Sequence, residues 1–309
     1  MKKIFFVSCA FPFVIYPGSG PEFGEAYGWE VRTLDELSAT ECDVALVENR
    51  LCQSDLVLLD RFLSAPNGPR FPVFFKISDP WMPCSRNKEV RYIFAKRDAP
   101  GVHYATVYQP AGPAAEFFAS LTVSCVVRTP YPYEKRREVD RPMTDRQRRV
   151  FLSGARRRKL YPFRETLFRR FSFNPVARRT LARLPHPGYS ITGNLCHDVI
   201  REKFVAYAAR FTHFFLDPSR YGVELMKYLE CAYAGSVPIG AIPESMASIV
   251  AACFARSDCR TLQLLSAVRM PVDELEAMAR EYRHAMRSAR DPARLNEALD
   301  DEIRQLLRL

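Results

Sequence analysis

The sequence predicts an α/β protein of two sequential halves, each a parallel sheet with helices on its faces, ending in a helical tail. Three observations lead there. The first half alternates short apolar runs with polar, turn-rich or helical stretches, the pattern of strands joined by crossovers. The stretch RTPYPYEKRREVDRPMTDRQRR, Arg128 to Arg149, is then rich in charge and proline and poor in apolar residues, as segments between domains are. After it a new strand-like run opens at Val150, VFLSG, so the chain starts over. These breaks divide it into domains at 1–140 and 141–309, the second carrying the terminal helices.

In order, Ile4–Cys9 reads as the first strand, Val44–Val47 as another and Phe71–Ile77 as a third. The opening MKKIFFVSCAFPFVIYPGSG has the charged start and apolar run of a secretion signal, but Pro12 and Pro17 break it and no small-residue cleavage pattern follows, which favours a buried strand. Ser54–Leu63 places Leu56, Leu59, Phe62 and Leu63 at helical spacing, with Ser54 as N-cap. Arg91–Phe94 and Thr106–Tyr108 read as short strands and Leu121–Val127 as a stronger one. In the second half, Val150–Leu152, Thr212–Leu216 and Val237–Ile239 read as strands, and Pro162–Phe171, Asp198–Ala209 and Gly222–Tyr233 as helices. From Pro271 onward Leu275, Met278, Tyr282, Met286, Leu295, Leu299, Ile303 and Leu306 recur at helical spacing.

At 309 residues, with 48% hydrophobic and 26% charged residues, the chain is long enough to bury its own cores and too apolar to be disordered. No segment reaches the ~20 apolar residues needed to span a bilayer. Nine cysteines are scattered without a C-x-x-C pair or zinc spacing, the usage of reduced thiols in a cytoplasmic protein. The net charge of +10 is local, with Arg146, Arg148, Arg149, Arg156, Arg157, Arg158, Lys159, Arg164, Arg169 and Arg170 close together. Such a field attracts phosphates, whether of a nucleotide, an anionic lipid surface or a nucleic acid.

The most informative stretch is THFFLDPSRYGVELMKYLECAYAGSVPIGAIPES, Thr212 to Ser245. It reads as strand, loop, helix opening near Gly222, a closing Gly235, and a short strand. A helix that begins at the carboxyl end of a parallel strand presents unpaired N–H groups and partial positive charge, which match a diphosphate. Ser219, Tyr221 and Gly222 would line such a site with Arg220 beside them; a plain strand-helix junction is the simpler alternative.

The run RYGVELMKYLECAYAGSVPIG resembles the donor-binding segment of GT-B glycosyltransferases, particularly bacterial group-1-like and CgeB-like members, in which a helix of the form K-x-x-E-x-x-A-x-G precedes x-P-I or x-P-V. The resemblance implies two Rossmann-like domains facing a cleft, the first binding the acceptor and the second the nucleotide-sugar. It implies that Glu230 accepts hydrogen bonds from the ribose hydroxyls, with Lys227 one turn earlier to steady it or reach a phosphate. Many retaining members carry a further glutamate where this sequence has Gly222; Glu224 is nearby but lies off the Glu230 face. In FLSGARRRKLYPFR, Ser153 and Gly154 fit a phosphate loop, and Arg156, Lys159 or Arg164 fit the cations that neutralise the diphosphate leaving group. The LPHPGY turn offers His186 to a phosphate or the base. No acidic D-x-D metal motif is present, so transfer without a metal or cofactor is expected, the nucleotide-sugar being substrate.

For a catalytic base the candidates are Asp79 in KISDPW and Glu48 in LVENR, each just after a strand, and His103. The function expected is sugar transfer to a glycan or lipid-linked acceptor in polysaccharide biosynthesis, in the cytoplasm or peripheral to an anionic inner-membrane surface. The alternative of another class is a basic nucleic-acid-binding protein using residues 146–170, which Tyr131, Tyr133, Tyr161 and Phe163 flank. A degenerate fold acting as a binding scaffold is a third reading, suggested by Gly222.

Overall fold

The computed structural model describes residues 1–8, 10, 20–66, 68–78, 88–109, 126–155, 159, 161–187, 196–256 and 261–308. The chain forms two compact units. One takes the residues up to Pro132 together with Arg290–Leu309, the other Tyr133–Ala289.

The first unit runs β1 (Lys3–Val7), α1 (Pro21–Ala26), β2 (Glu30–Thr33), β3 (Val44–Val47), α2 (Gln53–Leu63), β4 (Val73–Ile77), α3 (Lys88–Ala95), β5 (Val102–Thr106) and β6 (Val126–Arg128). Its six strands are all parallel, in the order β2-β1-β3-β4-β5-β6. KIFFV, VALV and VFFKI are buried at every position, as strands covered on both faces must be. The order reverses at β1, with β2 on one side and β3 on the other.

Three expectations are corrected here. Arg91–Phe94 lies within α3, where only Ile93 is buried; four residues are too few for periodicity to separate a helix from a strand. The strand expected at Thr106–Tyr108 ends at Thr106 instead. The cap of α2 is Cys52, whose N–H donates to Asp55 Oδ2 at 2.7 Å, and not Ser54. Of Leu121–Val127, only the end falls among the described residues.

The second unit runs β7 (Gln147–Ser153), α4 (Pro162–Phe173), α5 (Pro175–Thr180), β8 (Leu181–Leu184), α6 (Arg201–Ala208), β9 (Phe211–Leu216), α7 (Lys227–Ala234), β10 (Val237–Gly240), α8 (Ala247–Val250), β11 (Ala255–Arg256), α9 (Thr261–Val268) and α10 (Val272–Ala289). Its parallel order is β11-β10-β9-β7-β8, reversing between β7 and β9. Phe151 anchors the core, stacked on Phe211 at 5.4 Å and edge-on to Phe214 at 5.0 Å, aromatic packing that adds to simple area burial. Neither α5 nor β8 was expected; LARL is too short to stand out.

The last helix, α11 (Pro292–Leu307), belongs to the first unit. Its Asp300 pairs with Lys3, Asn296 Oδ1 accepts from Trp29 Nε1 at 2.6 Å, and Glu302 Oε2 accepts the Arg128 N–H at 2.6 Å. The division at 140/141 therefore gives way to one in which residues from Arg290 rejoin the opening sheet. The Arg128–Arg149 segment is packed as well. Arg137 is buried and bridges Glu134 and Glu202, each at 2.6 Å, while the Val139 N–H donates to the Tyr233 carbonyl at 2.8 Å. Partners meet the charges of Glu134 and Arg137, which is how a polar sequence can lie against a core. Among the described residues no helix is long and apolar enough to cross a membrane.

Candidate functional site

In an open parallel sheet, the reversal of strand order leaves a crevice at the carboxyl ends of the strands. In the second unit that point lies between β7, ending at Ser153, and β9, ending at Leu216. Gly154 follows β7 at φ +97°, and a Cβ there would meet Arg164 Nη1 at 2.8 Å and Lys227 Cε at 3.1 Å. Glycine is required both by this conformation and by the approach of the two cations. Arg164 and Asp217 are almost wholly buried and form a three-point contact, Nε to Oδ1 at 3.1 Å, Nη2 to Oδ1 at 2.5 Å and the Arg164 N–H to Oδ2 at 3.2 Å. This pair binds the start of α4 to the end of β9.

Lys227 and Glu230 enter from α7. Lys227 Nζ donates to Ser153 Oγ at 2.7 Å and lies 4.9 Å from the Phe204 ring centroid. Burial lowers its pKa to about 8; Glu230 works against that shift and Arg164 with it. Glu230 is 3% exposed, and among the described residues no donor reaches its carboxylate. Burial raises its pKa, only partly opposed by Lys227. A desolvated carboxylate with no hydrogen-bond partner is costly in a folded protein and points to a ligand that supplies the donors.

The remaining donor-side candidates divide. Gly154, Arg164 and His186 line one pocket of about 210 Å³, together with Leu152, Ala155, Phe168, Arg183, Leu184 and Pro185. Ser219–Gly222 is not the start of a helix. Ser219 is buried and organises a turn, with its Oγ accepting from the Tyr221 N–H at 3.3 Å and its carbonyl from Gly222 N–H at 2.8 Å. Gly222 takes φ +69°, and Arg220 is exposed and donates to the Tyr221 hydroxyl at 2.9 Å. The helix opens at Lys227 with no side-chain cap, so its amino end lies at Lys227 and not at Tyr221. Gly222, with φ in the left-handed region, is itself excluded from the helix. Lys159 is exposed; Arg156 lies outside the described residues.

The catalytic-base candidates do not come together. Glu48 follows β3 but is 2% exposed and bonded to Lys76 Nζ at 3.0 Å, the Asn49 N–H at 2.9 Å and the Gly20 N–H at 3.3 Å. Burial alone would raise its pKa, yet Lys76, Arg50 and these bonds hold it below the ordinary value. A carboxylate so engaged is a weak proton acceptor. His103 sits at the second position of β5, far from that strand's carboxyl end, stacked on Phe74 at 4.9 Å; burial lowers its pKa. Asp79 lies outside the described residues.

The arginines that are neighbours in sequence are dispersed in space. Arg146 donates to the Ala234 carbonyl at 2.9 Å, and Arg283 to that of Ala232 at 3.0 Å, so two guanidinium groups close the negative end of α7. Arg148 donates to the Met270 carbonyl at 2.8 Å and Arg149 to that of Leu181 at 2.6 Å. Asp217 and Arg183 carry site roles that sequence reasoning did not assign. An acid immediately after a parallel strand was the available signal for Asp217; for Arg183 none existed once β8 was missed. Among the described residues no group of acids, histidines and cysteines is placed to hold a metal.

No protein-family model matches the sequence, and no curated protein matches it. Solved structures do. An alpha-glucosyltransferase solved with UDP-glucose and DNA containing an abasic site superposes with a TM-score of 0.60 at 9% identity, over 97% of this chain and 98% of the other. HepE of Anabaena, solved with UDP and glucose, gives 0.57 at 10% identity over 99% and 100%. A UDP-forming alpha,alpha-trehalose-phosphate synthase from Burkholderia xenovorans gives 0.54 at 11% identity over 87% and 75%. These are glycosyltransferases of the GT-B fold, with two Rossmann-like domains, and the present chain shares that fold.

Proposed function

We propose that this chain is a glycosyltransferase that binds a nucleotide-sugar at the carboxyl edge of its second sheet and passes the sugar to a glycan or lipid-linked acceptor in polysaccharide assembly. The observation that carries this reading is Glu230, a buried carboxylate beside the Lys227 ammonium that receives no hydrogen bond from the described residues. A carboxylate accepts from two adjacent ribose hydroxyls at once, and an ammonium next to it suits the attached diphosphate. Structures of the same fold were solved with UDP or UDP-glucose, which makes a UDP-sugar the first donor to try.

As the glycosidic bond breaks, charge builds on the diphosphate and must be met by fixed positive groups. Asp217 already matches the charge of Arg164, so Lys227 is the cation assigned to the leaving group, and transfer needs neither a metal nor a cofactor in this reading. The first unit is assigned the acceptor, with Asp79 as the remaining base candidate. Placement near the CgeB-like subgroup rests on the Lys227–Glu230 spacing and belongs to the same proposal.

Calorimetric titration of the folded protein with UDP-, GDP-, dTDP- and CMP-sugars tests the proposal. One of them, first of all a UDP-sugar, should bind with heat that saturates at one site; no heat from any of them would overturn the reading. A pH series adds a sharper check. The pKa of Lys227 is depressed to about 8, so the ammonium is present below that value and lost above it. A bound diphosphate raises the pKa again, so UDP affinity should fall as pH rises through about 8 or somewhat higher. In Lys227→Arg the fall should vanish, because guanidinium stays charged. Native affinity that stays flat from about pH 7 to about pH 10 would remove Lys227 from the phosphate site.

A further inference from the structure

The outer face of α4 and α5 has no part in the site just described. Of the large apolar side chains exposed among the described residues, Val57, Phe163 and Phe173, two belong to α4, and Phe173 is 88% exposed. At about 100° per residue, Phe163, Thr166, Arg169 and Phe173 fall within roughly a third of the helix circumference, and all four are exposed. The opposite side of α4 holds Arg164, Leu167, Phe168 and Phe171 in the interior. The helix thus has a second apolar pair, turned to solvent, at its two ends about 15 Å apart.

Cations lie beside the second of these rings. Phe173, Pro175, Arg149, Arg178 and Arg179 line a groove of about 590 Å³. Arg178 and Arg179 are exposed, and among the described residues neither meets a carboxylate. Arg149 Nε is buried without a partner. Glu165, the acid of this helix, is already paired with Arg169 at 3.0 Å.

We propose that this face docks the protein onto an anionic bilayer, with Phe173 and Phe163 entering the interface and Arg178 and Arg179 gripping lipid phosphates. The chemistry selects this occupant. Exposed phenyl groups flanked by arginine lie at the boundary between headgroups and acyl chains, where the ring leaves water and the guanidinium keeps its counter-charge. A single-stranded nucleic acid would instead need aromatic faces close together along one groove to stack successive bases, and the two rings stand a helix length apart. A free phosphate would be held by the arginines and has no use for the phenyl groups. The groove is lined by Arg149, near the amino end of β7, whereas Ser153, which contacts Lys227, lies at that strand's carboxyl end. The proposal therefore stands whether or not that site takes a nucleotide.

The test is co-sedimentation of the full chain with phosphatidylcholine vesicles, with and without about a third phosphatidylglycerol, at about 0.1 M salt. Binding is expected to the anionic vesicles alone and to weaken as salt rises. Phe173→Ala should lower the partition by about tenfold and Arg178→Glu with Arg179→Glu by about a hundredfold. These residues are exposed, so circular dichroism of the variants should match the native protein, and inorganic phosphate at millimolar concentration should not compete. No binding to anionic vesicles would overturn the proposal. So would binding unchanged in Phe173→Ala, displacement by free phosphate, or tighter binding to a DNA oligomer than to vesicles.

Discussion

Glu230→Ala is expected to weaken UDP binding by about 1 to 3 kcal/mol, roughly 5- to 150-fold, while the empty protein becomes no less stable. The two halves of this result have one cause. The carboxylate is held in the interior with no hydrogen-bond donor from the described residues, so in the empty protein its charge is a burden that the bound hydroxyls relieve. Its pKa is raised in the fold. The sign follows: the contribution of Glu230 to stability is most favourable at low pH, where the group is neutral folded and unfolded, and is lost as pH rises through the folded pKa. At neutral pH Glu230→Gln should accordingly raise the unfolding midpoint while lowering UDP affinity. A polar group kept for a ligand behaves this way, whereas one kept for the fold loses stability when removed. Calorimetry on both variants, with and without UDP, checks the pair of outcomes. Unchanged UDP affinity in Glu230→Ala would take the nucleotide away from this helix.

Asp217→Ala is expected to produce the largest loss of stability, about 3 to 5 kcal/mol in the unit that contains it. Removing the carboxylate leaves the Arg164 guanidinium, 2% exposed, with the Ala155 carbonyl at 3.3 Å and the face of Tyr161 at 4.3 Å as its partners among the described residues. A buried charge whose partner has been removed is among the short list of causes of severe destabilisation. Asp217→Asn keeps an acceptor for one guanidinium N–H and should fall between. Scanning calorimetry resolves the effect as a lowered transition for the second unit. An Asp217→Ala protein that melted like the native one would mean that the pair contributes nothing to the junction of α4 and β9.

Much of the architecture was legible because parallel strands buried on both faces are written as unbroken apolar runs. Lys3–Val7, Val44–Val47 and Phe211–Leu216 stand out for that reason. What escaped were elements too short to show a period, such as Leu181–Leu184, and RYIF, whose apolar content suits either state. The site was legible as residue types and less so as geometry. Glu230, Lys227, Ser153 and Gly154 were each singled out, and the structure brings Ser153, Gly154 and Lys227 into contact. The helix starts at Lys227 and not near Gly222, whose left-handed backbone cannot belong to a helical first turn. The arginine-rich run looked like one electrostatic surface only because sequence adjacency was mistaken for spatial adjacency. Arg148 and Arg149 point to opposite faces of β7, Arg146 precedes that strand, and each donates to a different carbonyl.

The return of Pro292–Leu307 to the opening sheet affects how the chain is made. On the ribosome the unit that begins the sequence would be expected to finish folding first. Here its edge strand at Arg128 and the indole of Trp29 wait for Glu302 and Asn296, which follow them by 174 and 267 residues. The intervening unit can close around its own core while the first sheet is still open, so a late segment completes an early one.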